Sequence, residues 1–341
     1  MNPLSKKTTL GISMIIKDEC TNLPKSLGPL KEIADEIVVV DTGSRDGSRA
    51  LAKSYGARVY DFPWVNDFSR ARNQAILSAR ADYLLWLDAD NYLAPAGYLK
   101  LKNLLPPPDA PPVILMAEEK VIPQGDRIWQ KRVFPNLKST RFVGRVHEQI
   151  EHPEDFQVIF SGVTITHWGY ANLQEAKKKG ERNLELLLNA PETKAGDYYY
   201  LYQLGKTLFN LRRFSEALVY LTQAKAKTPT HNPLWSHTLI LISQIQSRTK
   251  DTQNAIQTLR DLNNTLPNYG PGRFYLGKLL FQEGFDALAL EELEKAQGLS
   301  LFDPGWGADG DKFKFICLSL LGKLYLKMGA EQKATHTFKT L

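Results

Sequence analysis

A chain of 341 residues with 43% apolar and 23% charged residues is long enough for two cores and too ordinary in composition to be disordered or fibrous. Its net charge of +6 includes no Lys/Arg run interleaved with aromatics, which argues against a nucleic-acid groove and leaves anionic ligands such as nucleotide diphosphates, or peripheral contact with an anionic membrane surface. No run is apolar enough to form a transmembrane segment, the start MNPLSKKTTLGISMIIKDE lacks a small-residue cleavage site, and the two cysteines, Cys20 and Cys317, are too few for a disulfide framework, so a cytoplasmic location is expected.

In chain order, four short β-branched runs come first: Gly11–Lys17, Glu36–Asp41, Arg58–Asp61 and Tyr83–Asp88. They alternate with amphipathic stretches, a pattern that predicts βαβ units and a largely parallel α/β sheet. The proline-rich LPPPDAPP, Leu105 to Pro112, predicts an extended connector. A second β-rich part follows in VILMAEE, RIWQKRVFPN and GVTITHWGY. From Leu173 the pattern is helical, so the chain is divided into an α/β domain over 8–172 and a helical region over 173–341.

The helical region repeats itself. Gly205, Ala217, Leu221, Ala224 and Pro229 fall at the spacing of the tetratricopeptide pattern, in which small residues let two antiparallel helices approach. Ser243, Ala255, Leu259 and Pro267 repeat it, as do Gly277, Ala289, Leu293 and Ala296, and then Gly322, Ala334 and Phe338 after the loop-like FDPGWGADGD. About four units are expected, with an unpatterned helical bundle as the plainer alternative.

The chemistry concentrates in the first half. Two of the predicted strands end on acids, Asp41 after EIVVV and Asp88 after YLLWL, and ligands of open α/β sheets bind beyond the carboxyl ends of strands. Asp88-Ala89-Asp90 places two carboxylates where they suit a hard divalent cation that itself binds a diphosphate. The first strand ends in Lys17, Asp18 and Glu19, and the second in Asp41, Thr42, Ser44 and Asp46. Acids there accept hydrogen bonds from a base or a ribose, while Asp46 equally suits a helix N-cap.

SMIIKDECTNL, EIVVVDTGSRDGS, FPWVNDFSRARNQA, LWLDADN, RFVGRVHEQI and THWGY, in this order, resemble the inverting glycosyltransferases of family two. The likeness covers most of residues 10–170. It is greatest to the branch whose catalytic domain is fused to tetratricopeptide repeats, which includes peptide S-glycosyltransferases. The resemblance implies a GT-A fold, the Rossmann-like α/β fold of nucleotide-diphospho-sugar transferases. It also implies that Glu19 and Asp41 contact the nucleoside, that Arg72 and Asn73 lie near the diphosphate, and that Asp88 and Asp90 hold Mn2+ or Mg2+. Family members usually carry Asn-Glu-Glu at Asp18-Glu19-Cys20 and an acid at Asn91, so acceptor contacts at Asn91 are in doubt.

An inverting transfer needs a base. RVHEQI offers His147 and Glu148, which face opposite sides if the segment is a strand; Glu148 is the expected base, with His147 its substitute. His167 is expected to complete the metal sphere, as a late histidine does in many GT-A enzymes, against a purely structural role. Trp168 and Tyr170 form a sugar-stacking wall or ordinary core. The implied partners are a nucleotide-sugar donor, UDP before GDP or dTDP, and a protein, peptide or glycan acceptor docked by the repeats; a homo-oligomer is left open. A nucleotidyltransferase would carry a glycine- and basic-rich loop where KDECTNL stands, and a dinucleotide oxidoreductase a G-x-G-x-x-G that is absent. The non-enzymatic alternative is a repeat scaffold with a decayed transferase domain.

Overall fold

The LGISMII run is apolar at nearly every position, as a strand covered on both faces requires, and it becomes β1 (Leu10–Ile16) at the centre of a mixed sheet. The structure, a computed structural model, describes residues 7–122, 127–168, 173–189, 196–301, 303 and 310–340. It divides into two compact units, 1–179 and 180–341.

In the first unit, β1 pairs in parallel with β2 (Glu36–Asp41) on one side and β4 (Tyr83–Trp86) on the other, and β3 (Arg58–Asp61) extends the parallel half beyond β2. The sheet continues through β7 (Arg127–Pro135), β6 (Val113–Val121), β10 (Gln157–His167) and β5 (Asn91–Tyr92), in the order β3-β2-β1-β4-β7-β6-β10-β5. The parallel expectation therefore holds for the first four strands and gives way where β7 runs antiparallel to both β4 and β6. The two faces of β2 show the layering. Ile37 and Val39 pack with Leu23 of α1 (Leu23–Ser26), Ala52 of α2 (Ser48–Ser54) and Tyr98 of α4 (Pro95–Asn103). Val38 and Val40 pack against Ala75 of α3 (Phe68–Ser78). Helix α3 starts cleanly because the Asp67 side chain accepts a hydrogen bond from the Arg70 N–H at 3.0 Å. A small hairpin of β8 (Arg141–Val143) and β9 (Gln149–Glu151) lies against α3.

The second unit is a series of tetratricopeptide-type helical hairpins: α6 (Tyr198–Asn210) with α7 (Phe214–Lys227), α8 (Pro233–Arg248) with α9 (Thr252–Thr265), α10 (Gly270–Gln282) with α11 (Asp286–Gln297), and α12 (Gly310–Lys327) with α13 (Glu331–Lys339). Helix α5 (Leu173–Leu188) precedes them. Close approach explains the small residues. A Cβ on Gly277 would lie 2.6 Å from the Leu293 side chain, Gly205 faces Leu221 and Gly322 faces Phe338 in the same way, and Ala217, Ala255, Ala289 and Ala334 are fully buried. Each first helix also ends through a left-handed residue: Arg212 at φ 61°, Lys250 at 65°, Gly284 at 80° and Gly329 at 74°. Among the described residues no helix is long and apolar enough to cross a membrane.

Candidate active site

The carboxyl ends of β1, β2 and β4 lie side by side where the strand order reverses about β1, the position at which open α/β sheets bind ligands. The loops after β1 and β2 are stitched together there: Ser44 Oγ accepts from the Asp18 N–H at 2.9 Å, Asp18 Oδ1 from the Arg45 N–H at 2.7 Å, and Ser48 Oγ from the Glu19 N–H at 2.7 Å. Asp46 is not the N-cap of α2, a position that Gly47 fills; it stands one residue earlier and accepts from the Ser48 N–H at 2.9 Å and the Cys20 N–H at 3.1 Å. Asp41 is 1% exposed; its Oδ1 accepts from the Gly43 and Ser44 N–H groups, while Oδ2 has no hydrogen-bond partner and lies 3.6 Å from Arg49 Nε. A buried carboxylate oxygen left in that state is a ready acceptor for an incoming N–H or hydroxyl.

After β4, the turn Asp88-Ala89-Asp90-Asn91 is closed by the Asn91 N–H donating to Asp88 O at 3.0 Å. The Asp88 N–H donates to Asn91 Oδ1, which leaves Asn91 Nδ2 as donor to His167 Nδ1 at 3.0 Å. Asp90 Oδ1 is 3.4 Å from the same nitrogen, and Lys179 Nζ is 3.3 Å from Asp90 Oδ2. The proton at Nδ1 thus decides whether His167 pairs with Asn91 or with Asp90. Burial raises the Asp90 pKa, but the His167 contact outweighs it and holds the carboxyl below its ordinary range. Burial also pushes Glu19 up, with the Asp90 and Asp88 charges adding to it against an Asn22 hydrogen bond, so these three carboxylates share one field.

Arg72 comes inward from α3 while Arg70, two residues before it, is exposed, as opposite helix faces require. Its Nε donates to Glu148 Oε1 at 2.7 Å and its Nη2 to Asp88 Oδ1 at 2.9 Å. Desolvation opposes charge on both partners, yet the Asp88 and Glu148 charges keep Arg72 above its usual value, and Arg72 with Arg132 holds Asp88 far below the ordinary carboxylate range.

The model of glycosyl transferase family 2 matches residues 12–163. This segment belongs to that family. A TPR repeat-containing protein of Synechococcus elongatus is 37% identical over 142 residues, 42% of this chain and 35% of that protein. The SPbeta prophage-derived glycosyltransferase SunS of Bacillus subtilis is 25% identical over 234 residues, 64% of this chain and 54% of that protein. An uncharacterized glycosyltransferase of Rickettsia bellii is 34% identical over 91 residues, 27% of this chain and 30% of that protein. The chain thus spans about a third to a half of the length of these curated relatives. Among solved structures, MamA aligns with probability 1.00 at 18% identity and a TM-score of 0.39, over 50% of this chain and 92% of that one.

Within the family 2 domain, four expected site residues, Asn73, His147, Glu148 and Asp88, have surroundings that the sequence reading did not include. Asn73 has its amide engaged by the main chain of β8, donating to Phe142 O at 2.9 Å and accepting from the Phe142 N–H at 2.8 Å, so it fixes the hairpin to α3. His147 and Glu148 lie in the bend between β8 and β9 rather than in a strand, because Gly144 (φ 99°) and His147 (φ 55°) take left-handed conformations. Asp88 has both oxygens engaged by arginines. Among the described residues no three His, Cys, Asp or Glu side chains are gathered closely enough to hold a cation by themselves.

Sequence reasoning missed Arg132, Glu119 and Trp86. Arg132, 1% exposed, donates through Nη1 to Asp88 Oδ2 at 3.3 Å and through Nη2 to Glu119. It is the extra residue of a β-bulge, since Leu115 pairs with Val133 and Met116 with Lys131, and a bulge turns a side chain off its expected face. Trp86 donates its indole N–H to Asp88 Oδ1 at 3.1 Å, and both guanidiniums lie against its ring, Arg72 at 4.3 Å and Arg132 at 4.4 Å. Tyr170, expected beside Trp168, is outside the described residues; Trp168 itself donates its N–H to Asp90 O at 3.2 Å and has Lys25 over its ring at 5.7 Å.

Proposed function

We propose that the chain is an inverting glycosyltransferase that moves a sugar from a nucleoside-diphosphate donor, UDP-linked by preference, to a protein, peptide or glycan acceptor. The observation that carries this reading is Asp41, whose buried Oδ2 has no hydrogen-bond partner at the carboxyl end of β2, together with the pair that Asp90, after β4, forms with His167. A nucleoside offers the N–H or hydroxyl that the Asp41 oxygen lacks, and a cation-bound diphosphate is the kind of ligand that suits Asp90 and His167.

Asp41 accepts from the base or ribose with Oδ2, the oxygen that has no hydrogen-bond partner, and Glu19 contacts the nucleoside as well. Asp90 and His167 would hold Mn2+ or Mg2+, which would supply positive charge to the departing diphosphate. Arg72, oriented by Asp88 and Trp86, presents its planar fork towards phosphate oxygens. Glu148 removes the acceptor's proton as the nucleophile bonds to the anomeric carbon and the carbon–oxygen bond to the diphosphate breaks; Arg72 holds one carboxylate oxygen and leaves the other to act. The repeats dock the acceptor.

Glu148→Gln tests the base. Donor affinity stays within about threefold of wild type while turnover of a nucleotide sugar falls by roughly 10²–10⁴-fold. Unchanged turnover in that variant assigns the base elsewhere, with His147→Ala the next variant to measure.

A further inference from the structure

Cross-strand partners share a face of a sheet, so the pairing of β10, β6 and β7 sets Phe160, Met116 and Lys131 in one row and Thr164, Glu118 and Trp129 in the next. The same face is covered further along, where Ile114 and Phe134 pack with Ile76 of α3 and with Phe142 and Ile150 of the β8–β9 hairpin. Beyond that cover, Phe160 is 51% exposed and Val158 42% exposed. Trp129 meets Phe160 edge-on with ring centroids 5.0 Å apart, so two aromatic rings stand together on an open part of the sheet. Folding gains little from an aromatic side chain left half in water, and such a patch marks a contact surface.

A basic site adjoins the rings. An ammonium only donates, so Lys131 Nζ gives its hydrogen bond to His152 Nε2 at 2.9 Å, and His152 Nδ1 carries the proton that it donates to Pro153 O at 2.8 Å. His152 stacks on Phe156 and, with Lys138, Ser139 and Arg141, lines a cavity of about 380 Å³ at the open end of the β8–β9 hairpin. The acids nearby are matched. Glu151 accepts from Arg141 at 2.9 Å, and Glu118 accepts from the Thr164 hydroxyl at 2.8 Å and lies 3.5 Å from Arg127. Lys131 is not matched: burial pushes its ammonium below the ordinary lysine range, and among the described residues it forms no ion pair with a carboxylate.

We propose that Trp129, Phe160, Lys131 and the cavity beside His152 form a binding strip for an acidic glycan, a chain of sugar rings bearing uronate carboxylates. The aromatic rings take the apolar face of a sugar, Glu118 and Thr164 stand beside them to bond its hydroxyls, and a carboxylate on a neighbouring unit supplies the partner that Lys131 lacks. The face of a sheet offers no free main-chain groups to an extended peptide, which favours a ligand read by ring faces and hydroxyls. The hairpin whose open end lines the cavity carries Glu148 in its bend, three residues of strand or about 10 Å further on. Naming the glycan as the acceptor rests on the transferase reading; the binding itself does not.

Fluorescence anisotropy on the full chain tests the strip, with an end-labelled oligogalacturonate as probe and its methyl ester and a glutamate peptide of equal charge as comparisons. The oligogalacturonate binds at least about tenfold more tightly than either, and its affinity falls with added salt. Phe160→Ser removes a ring that the fold leaves half exposed, so Tm holds while affinity falls roughly tenfold. Lys131→Met gives a similar loss, and Lys131→Gln repeats it if the methionine variant folds poorly. Manganese-dependent binding of UDP to these variants stays at the wild-type level. A chain that binds the oligogalacturonate but no UDP keeps the strip and loses the transferase reading, so the two failures read out separately. Equal binding of the methyl ester or of the glutamate peptide, no binding of the oligogalacturonate by wild type, or full binding by the folded variants overturns the strip.

Discussion

In the family 2 domain five ionisable side chains join end to end, Glu148 to Arg72 to Asp88 to Arg132 to Glu119, with charge alternating at each step. In the helical unit, burial pushes Lys206 and Lys278 below the ordinary lysine range, and among the described residues neither forms an ion pair with a carboxylate. The first arrangement is complete in itself, so removing a member strands its neighbours. The second lacks such partners, so removing a member relieves the fold. The same physics of burial therefore separates charges that hold one another in place from charges that burial only penalises.

The sharpest break of that contrast is Arg132→Met. It leaves Glu119 buried without its cation and strips Asp88 of one of two, so urea unfolding followed by tryptophan fluorescence shows a loss of about 3–5 kcal/mol. Arg132→Met/Glu119→Leu recovers most of the loss, since a matched apolar pair removes the stranded charge. A loss below about 1 kcal/mol in the single variant contradicts the linked arrangement. A smaller effect separates the two units. Gly277→Leu forces side-chain atoms into the space of Leu293 and costs about 1–3 kcal/mol or more in the helical unit, read by far-UV circular dichroism, with donor binding unchanged. The smallest effect is a gain. Lys250 takes a left-handed turn position that Gly284 and Gly329 fill in later hairpins, and Lys250→Gly raises Tm by about 2–4 °C. A fall in Tm assigns the lysine a structural contact that offsets its backbone strain.

What was legible in the sequence follows from where the information is local. Asp41, Asp88 and Asp90 were readable because each follows an apolar run that cannot be anything but a buried strand, and strand ends of such sheets face a crevice. The hairpin units were readable because close helix approach demands Gly or Ala at fixed offsets. Arg132 was not, because its direction depends on a bulge in strand pairing, and pairing is not written in the strand's own alternation. That Arg72 faces inward and Arg70 outward depends on the position of α3 on the sheet. The role of Asn73 needed the hairpin that it clamps. Gly144 was the available sign that RVHEQI bends rather than continues as a strand, and a lone glycine there was too weak a sign to outweigh the apolar pattern. The left-handed turn carries no mark in the sequence of the first two hairpins, where Arg212 and Lys250 stand in the place that glycine takes in the last two.

The central claim is that Asp90 and its neighbours bind a nucleoside diphosphate through a divalent cation. Calorimetric titration with UDP and UDP-sugars, with and without manganese, on wild type and Asp90→Asn tests it most directly. Binding of one donor that requires manganese, and that weakens by roughly 10²-fold or more in the variant, is the predicted result. Equal binding with and without the metal, or a variant that binds as wild type does, contradicts it.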